Sequence, residues 1–128
     1  MNKTILLTGT GFALLAVILG AFGSHGLREL LDARSLSAYE TGVEYQMYHA
    51  LFLIILGGTD FLGDKHKKAV FYLVTFGILL FSFSLYILAI AKAMNVDLGA
   101  LGIITPIGGT LLLLGWLLLA IRIFRQYA

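Results

Sequence analysis

Uncharged runs long enough to cross a bilayer recur along the chain. Between Lys3 and His25 lie 21 uncharged residues, between Lys68 and Lys92 lie 23, and between Asp97 and Arg122 lie 24. A hydrocarbon core of ~30 Å takes about 20 apolar residues in a helix, so each run can span. A fourth run, Tyr45 to Thr59, has only 15 residues. At 1.5 Å per residue it covers roughly 22 Å, too short by itself. Upstream of it, Ser37-Ala38-Tyr39-Glu40 reads as a capping box that would start the helix at Ser37. Glu40 and Glu44 then fall in the first turns, where carboxylates suit the positive end of the helix dipole. The pattern predicts four transmembrane helices at about 4–23, 38–58, 68–92 and 99–122. Together they make one all-α integral membrane domain over residues 1–128. Ala21-Phe22-Gly23 resembles a leader-cleavage site, but the apolar run before it exceeds the usual ~7–15 residues, so the first stretch is read as a retained span.

Short connections between the spans predict an up-down-up-down bundle. Lys3, Lys65, Lys67, Lys68, Arg122 and Arg125 fall on the side of the termini, against Arg28, Arg34 and Lys92 on the other. The excess of basic residues places both termini in the cytoplasm. The run Lys65-His66-Lys67-Lys68 then serves as a topology signal, and it would attract anionic lipid. After the first span, Leu27, Leu30 and Leu31 at i, i+3 and i+4, ringed by Arg28, Glu29 and Asp32, predict a short amphipathic interfacial helix.

Composition narrows the class further. Hydrophobic residues make up 59% of the chain and charged residues 12%, about half the charge of an ordinary soluble domain. Most of the exterior must therefore meet something other than water. Cysteine is absent, which excludes disulfide scaffolds and thiolate chemistry. A net charge of +2 gives no reason to expect a nucleic-acid partner. The partners expected are membrane lipids and a second copy of the chain, with any protein partner unidentified.

Polar groups at membrane depth are the best pointers to function. Tyr45, Gln46 and His49 share a stripe of the second helix with Gly42, while Glu40 and Glu44 project elsewhere. His25, Glu40, Glu44, Tyr45, Gln46 and His49 are the candidates for ligand or partner binding. Ser82 and Ser84 are the only continuation of a polar path. Gly20, Gly23, Gly26, Gly42, Gly108 and Gly109 are candidates for close helix packing. Pro106 frees the carbonyl of Gly102 and predicts a kink, more often a helix contact than a break lining a cavity. No phosphate loop, dinucleotide fingerprint, triad or zinc motif is present, so neither a catalytic residue, a metal nor a cofactor is expected.

Three motifs, taken together, resemble a known family. They are Gly20-Ala21-Phe22-Gly23-Ser24-His25-Gly26-Leu27, then Thr41-Gly42-Val43-Glu44-Tyr45-Gln46-Met47-Tyr48-His49-Ala50-Leu51, and Thr105-Pro106-Ile107-Gly108-Gly109 followed by Gly115-Trp116. Along essentially the whole chain it resembles the small multi-pass membrane proteins grouped with transmembrane protein 256, a family of unknown function. Ser24 stands where alanine is expected in many members. The resemblance implies a four-span cell-membrane protein and marks Gly23, His25, Gly26, Gly42, Tyr45, Gln46, His49, Pro106 and Gly109. It brings no reaction and no cofactor. On both lines the marked residues are expected to converge near the outward ends of the first, second and fourth helices. The function expected is a non-enzymatic bundle that binds lipid, a small apolar ligand or a protein partner near its outward face. The alternatives are a small oligomeric transporter or channel with a polar path near His49, and a membrane redox or metal-binding subunit using His25 and His49.

Overall fold

The computed structural model describes residues 1–128. It contains four α-helices and no strand: α1 (Lys3–Phe22), α2 (Ala33–Gly58), α3 (Asp64–Ala93) and α4 (Leu101–Gln126). One π-helical turn, Gly23–Leu27, continues α1. The stretches Lys3–Leu27, Asp64–Ala93 and Leu101–Gln126 are long and apolar enough to cross a membrane.

The second helix starts earlier than the capping box implies. Asp32 is its N-cap, and the carboxylate accepts from the Ser35 backbone N–H at 2.7 Å. Ser37 lies within the helix, and Glu40 is exposed in a later turn. Asp32 is the better start because its carboxylate satisfies an orphan donor while Leu36, inside the added turn, packs against the cluster of Leu27, Leu31 and Tyr39. The bond to Ser35, together with Lys92 at 3.2 Å, holds the Asp32 carboxyl down to about 2.

Adjacent helices run antiparallel. The Asn2 N–H donates to the Gly57 carbonyl, and the Tyr39 hydroxyl to that of Leu19, pairing α1 with α2. Ser82 donates to the Gly42 carbonyl and Lys67 to that of Thr59, pairing α2 with α3. Ser84 meets Thr105 at 2.6 Å between α3 and α4. Contacts follow chain order, with α1 and α4 on the outer flanks of the central pair. The main core joins Ile5, Leu53, Leu56, Val74, Ile78 and Leu112. A second cluster, at the end carrying the α1–α2 loop, joins Leu27, Leu31, Tyr39, Tyr86 and Ala89.

Missing side chains set how close the helices come. A β-carbon on Gly9 would lie 2.9 Å from the Ala50 carbonyl oxygen, and one on Gly57 equally close to the Leu6 nitrogen. A β-carbon on Gly108 would collide with the backbone of Leu80 and Phe81, and Gly77 and Gly115 admit Leu112 and Val74 in the same seam. Gly20, Gly23 and Gly42 admit Val43, Tyr39 and Tyr86, and Gly109 rests on the Phe81 ring. Gly26 departs from expectation: a β-carbon there would meet only Phe22 of its own turn. Pro106 lies in the second turn of an unbroken α4, and with Gly108 against α3 this region is a contact, not a cavity.

Two further expectations change. The segment after α1 is a π turn and a hydrogen-bonded turn, not a separate amphipathic helix. Leu27 and Leu31 tuck into the second core, whereas Leu30 stays 70% exposed; the three leucines do not share one face. Lys67 leaves the basic surface run and is 1% exposed. Its ammonium donates to the Thr59 carbonyl at 2.6 Å, at the negative end of α2. It also lies 3.7 Å from Asp60. The chain's N-terminal ammonium bonds Asp60 at 3.3 Å and, with Lys67, lowers the pKa of that carboxyl.

Candidate functional site

The polar residues of α2 are held by its neighbours. Gln46 is fully buried. Its amide nitrogen donates to the Phe12 carbonyl at 2.8 Å, and its amide oxygen accepts from the Tyr86 hydroxyl at 2.7 Å. One side chain thus joins α1, α2 and α3.

His49, one turn on, joins α2 to α4. The Trp116 indole N–H donates to its Nε2 at 2.9 Å. An indole can only donate, so Nε2 carries no proton. Nδ1 then bears the hydrogen and donates to the Tyr45 carbonyl at 2.7 Å. The ring is neutral with both nitrogens satisfied, flanked by Tyr45, Trp116 and, beyond the indole, Phe52. Ser82 and Ser84 are equally committed. Ser84 donates to the Phe81 carbonyl, so the Thr105 hydroxyl is the donor in the Ser84–Thr105 bond.

The other candidates lie elsewhere. Glu40 and Glu44 border a recess of about 210 Å³ with Gly20, Gly23, Ser24 and Tyr39. His25 is exposed on the π turn. Since Tyr39 reaches Leu19 and Gln46 reaches Phe12, His25 lies near the first turn of α2. It is then roughly 20 Å along the helix axis from His49, at 1.5 Å per residue. His25 and His49 do not meet within one chain, and His49 is deeper than the outward ends where convergence was expected. No three histidine, aspartate or glutamate side chains gather as metal ligands would.

Two features escaped sequence reasoning. Trp116, 67 residues from His49, carried no local signal of its partner. At the end of the molecule carrying the α1–α2 and α3–α4 loops, Leu27, Leu30, Leu31, Ile90, Ala93 and Met94 line a recess of about 280 Å³. The Asp32–Lys92 ion pair lies beside it, where a neighbouring polar recess is lined by Leu30, Leu31, Asp32 and Lys92. The leucine spacing was visible, but its partners on α3 were not.

Comparison with known proteins agrees with the resemblance. Residues 19–109 match the model of a family described as "Protein of unknown function (DUF423)". A UPF0382 membrane protein of Staphylococcus saprophyticus is 42% identical over 123 residues, covering 96% of this chain and 98% of the relative. One from Haemophilus influenzae is 42% identical over 126 residues, covering 98% and 96%. The UPF0382 membrane protein YwdK of Bacillus subtilis is 40% identical over 124 residues, covering 93% and 94%. No solved structure matches.

Proposed function

We propose that this chain, which belongs to the DUF423 family of membrane proteins of unknown function, is a non-enzymatic four-span bundle that binds a lipid acyl chain in the apolar recess at its outward end. The helices run up-down-up-down, and both termini are cytoplasmic. The recess of Leu27, Leu30, Leu31, Ile90, Ala93 and Met94 carries the reading. All six of its lining residues are apolar, yet an ion pair stands beside it, and acyl chains and charged headgroups meet at that boundary. Lipid is favoured as occupant because Leu30 and Met94 are 70% and 68% exposed at the membrane surface this topology assigns.

The span of α2 rests on length and on where its polar residues point. Its 26 residues extend about 39 Å, and Gln46 and His49 turn toward protein, not lipid. The cytoplasmic termini rest on six basic residues against three. Binding is favoured over catalysis or conduction because the Ser82, Ser84 and Tyr86 hydroxyls, the Gln46 amide and the His49 imidazole already bond protein groups. The reading includes association of copies through the uncovered apolar faces of α1 and α4, where Leu14, Val17, Leu113 and Leu117 are exposed.

A spin-labelled stearic acid added to the purified chain in phosphatidylcholine nanodiscs tests the proposal. The wild type is expected to immobilise the probe, and Leu30→Gln with Met94→Gln to weaken binding about tenfold, equivalent to about 1.4 kcal/mol. Both side chains lie outside the core, so the fold survives. Unchanged binding in the variant removes the reading. So does proton flux through proteoliposomes that His49→Ala abolishes.

A further inference from the structure

A second cavity lies at the opposite end of the molecule, between the first turn of α3 and the last turns of α4. It measures about 420 Å³ and is lined by four residues, His66, Arg122, Arg125 and Gln126, with neither an apolar side chain nor a carboxylate among them. Volumes of ~300–1,000 Å³ are typical of ligand sites. Arg122 and Arg125, three residues apart, share one face of α4. Neither takes part in an ion pair: the three in the molecule join Asp60 to the N-terminus and to Lys67, and Asp32 to Lys92.

Two observations distinguish this cavity from an ordinary basic helix end. His66 Nδ1 is buried and has no hydrogen-bond partner, a deficit that is costly to leave unmet. The end of α4 that carries the arginines is also tied down. The Gln126 amide nitrogen and the Tyr127 hydroxyl both donate to the Phe61 carbonyl, at 2.9 and 2.8 Å. These bonds tie the end of α4 to the α2–α3 loop beside His66. Two arginines and the His66 ring therefore line one space with no carboxylate among them.

We infer that this cavity binds a phosphate group, with Arg122 and Arg125 as forked donors and the His66 ring completing the lining. Guanidinium presents paired N–H groups that match two oxygens of one phosphate, which an ammonium cannot do. The phosphate belongs to an anionic lipid headgroup or is free in solution; the chemistry of recognition is the same. The site is separate from the apolar recess at the other end and does not depend on it.

Full-length protein in a neutral detergent, titrated separately with phosphatidylglycerol and inorganic phosphate, provides the test. Native mass spectrometry follows the lipid and calorimetry the free anion. At least one ligand is expected to bind. Arg122→Gln with Arg125→Gln should weaken it at least tenfold and His66→Ala several-fold, whereas Lys65→Gln with Lys68→Gln, which removes equal charge nearby, should change it less than threefold. Arg122→Lys with Arg125→Lys keeps the charge at the end of α4 and loses the fork. It should weaken binding at least fivefold, and it decides the matter if the glutamine variant does not fold. Lipid binding alone assigns the site to headgroups, and phosphate binding alone assigns it to the soluble anion. If neither binds, or if the lysine and arginine pairs to glutamine weaken binding equally, the inference is overturned.

Discussion

Gln46 ties three helices at one depth with a single amide, giving to the Phe12 carbonyl and receiving from Tyr86. Inside a membrane, such a group has few alternatives to protein partners, and measured side-chain hydrogen bonds between helices average about 0.6 kcal/mol, with a maximum of about 1.7. Gln46→Leu and Tyr86→Phe are each expected to lower stability in detergent by about 1–2 kcal/mol, because each leaves a buried polar partner unpaired. The double variant should lose less than the sum of the two. An unfolding series in which the losses simply add would show that the bond carries no coupling. Legibility was mixed at this scale. Gln46 and His49 stand out as polar residues in an apolar run, but nothing in their spacing shows that Tyr86 serves Gln46 or that Trp116 serves His49. His25, marked by its motif, is carried away from His49 because antiparallel packing sets their levels apart.

The helices differ in how each meets its neighbours. α2 buries the polar side chains Gln46 and His49 together with Gly42 and Gly57, where its neighbours come close. α3 and α4 meet along Gly77, Gly108 and Gly115, the close approach that small residues permit where hydrophobic burial supplies no drive between helices. Gly108→Ala should destabilise the protein by about 1–3 kcal/mol through overpacking, since the new methyl would strike α3 backbone. Gly109→Ala, whose nearest neighbour is the Phe81 ring at 3.5 Å, should be neutral or slightly stabilising through helix propensity. Thermal unfolding of the two variants tests the contrast; equal effects would place the seam elsewhere. The existence of the helices was readable from uncharged runs. The start of α2 was not, because two capping signals compete within six residues and packing of Leu36 favours the earlier one.

At the scale of the whole molecule, the ends are chemically unlike. One carries the apolar recess and the Asp32–Lys92 pair, the other the basic cavity and the Lys67–Asp60–N-terminus cluster. Four spans with cytoplasmic termini make a direct expectation. A phosphatase active only outside the cytoplasm should be inactive when fused after Ala128 and active when inserted after Gly99. The reverse pattern would invert the molecule, and activity at both points would remove one span. Class and the four long helices were determined by the sequence alone, because hydrocarbon imposes length and charge rules that local composition either meets or violates; the family was marked by the three motifs. Which polar group answers which, where Leu30 parts from Leu27 and Leu31, and how His66 comes to share a cavity with Arg122 and Arg125 were decided only by tertiary structure. Those relations join residues dozens of positions apart, and a run of amino acids carries no record of which neighbour the folded chain will bring beside it.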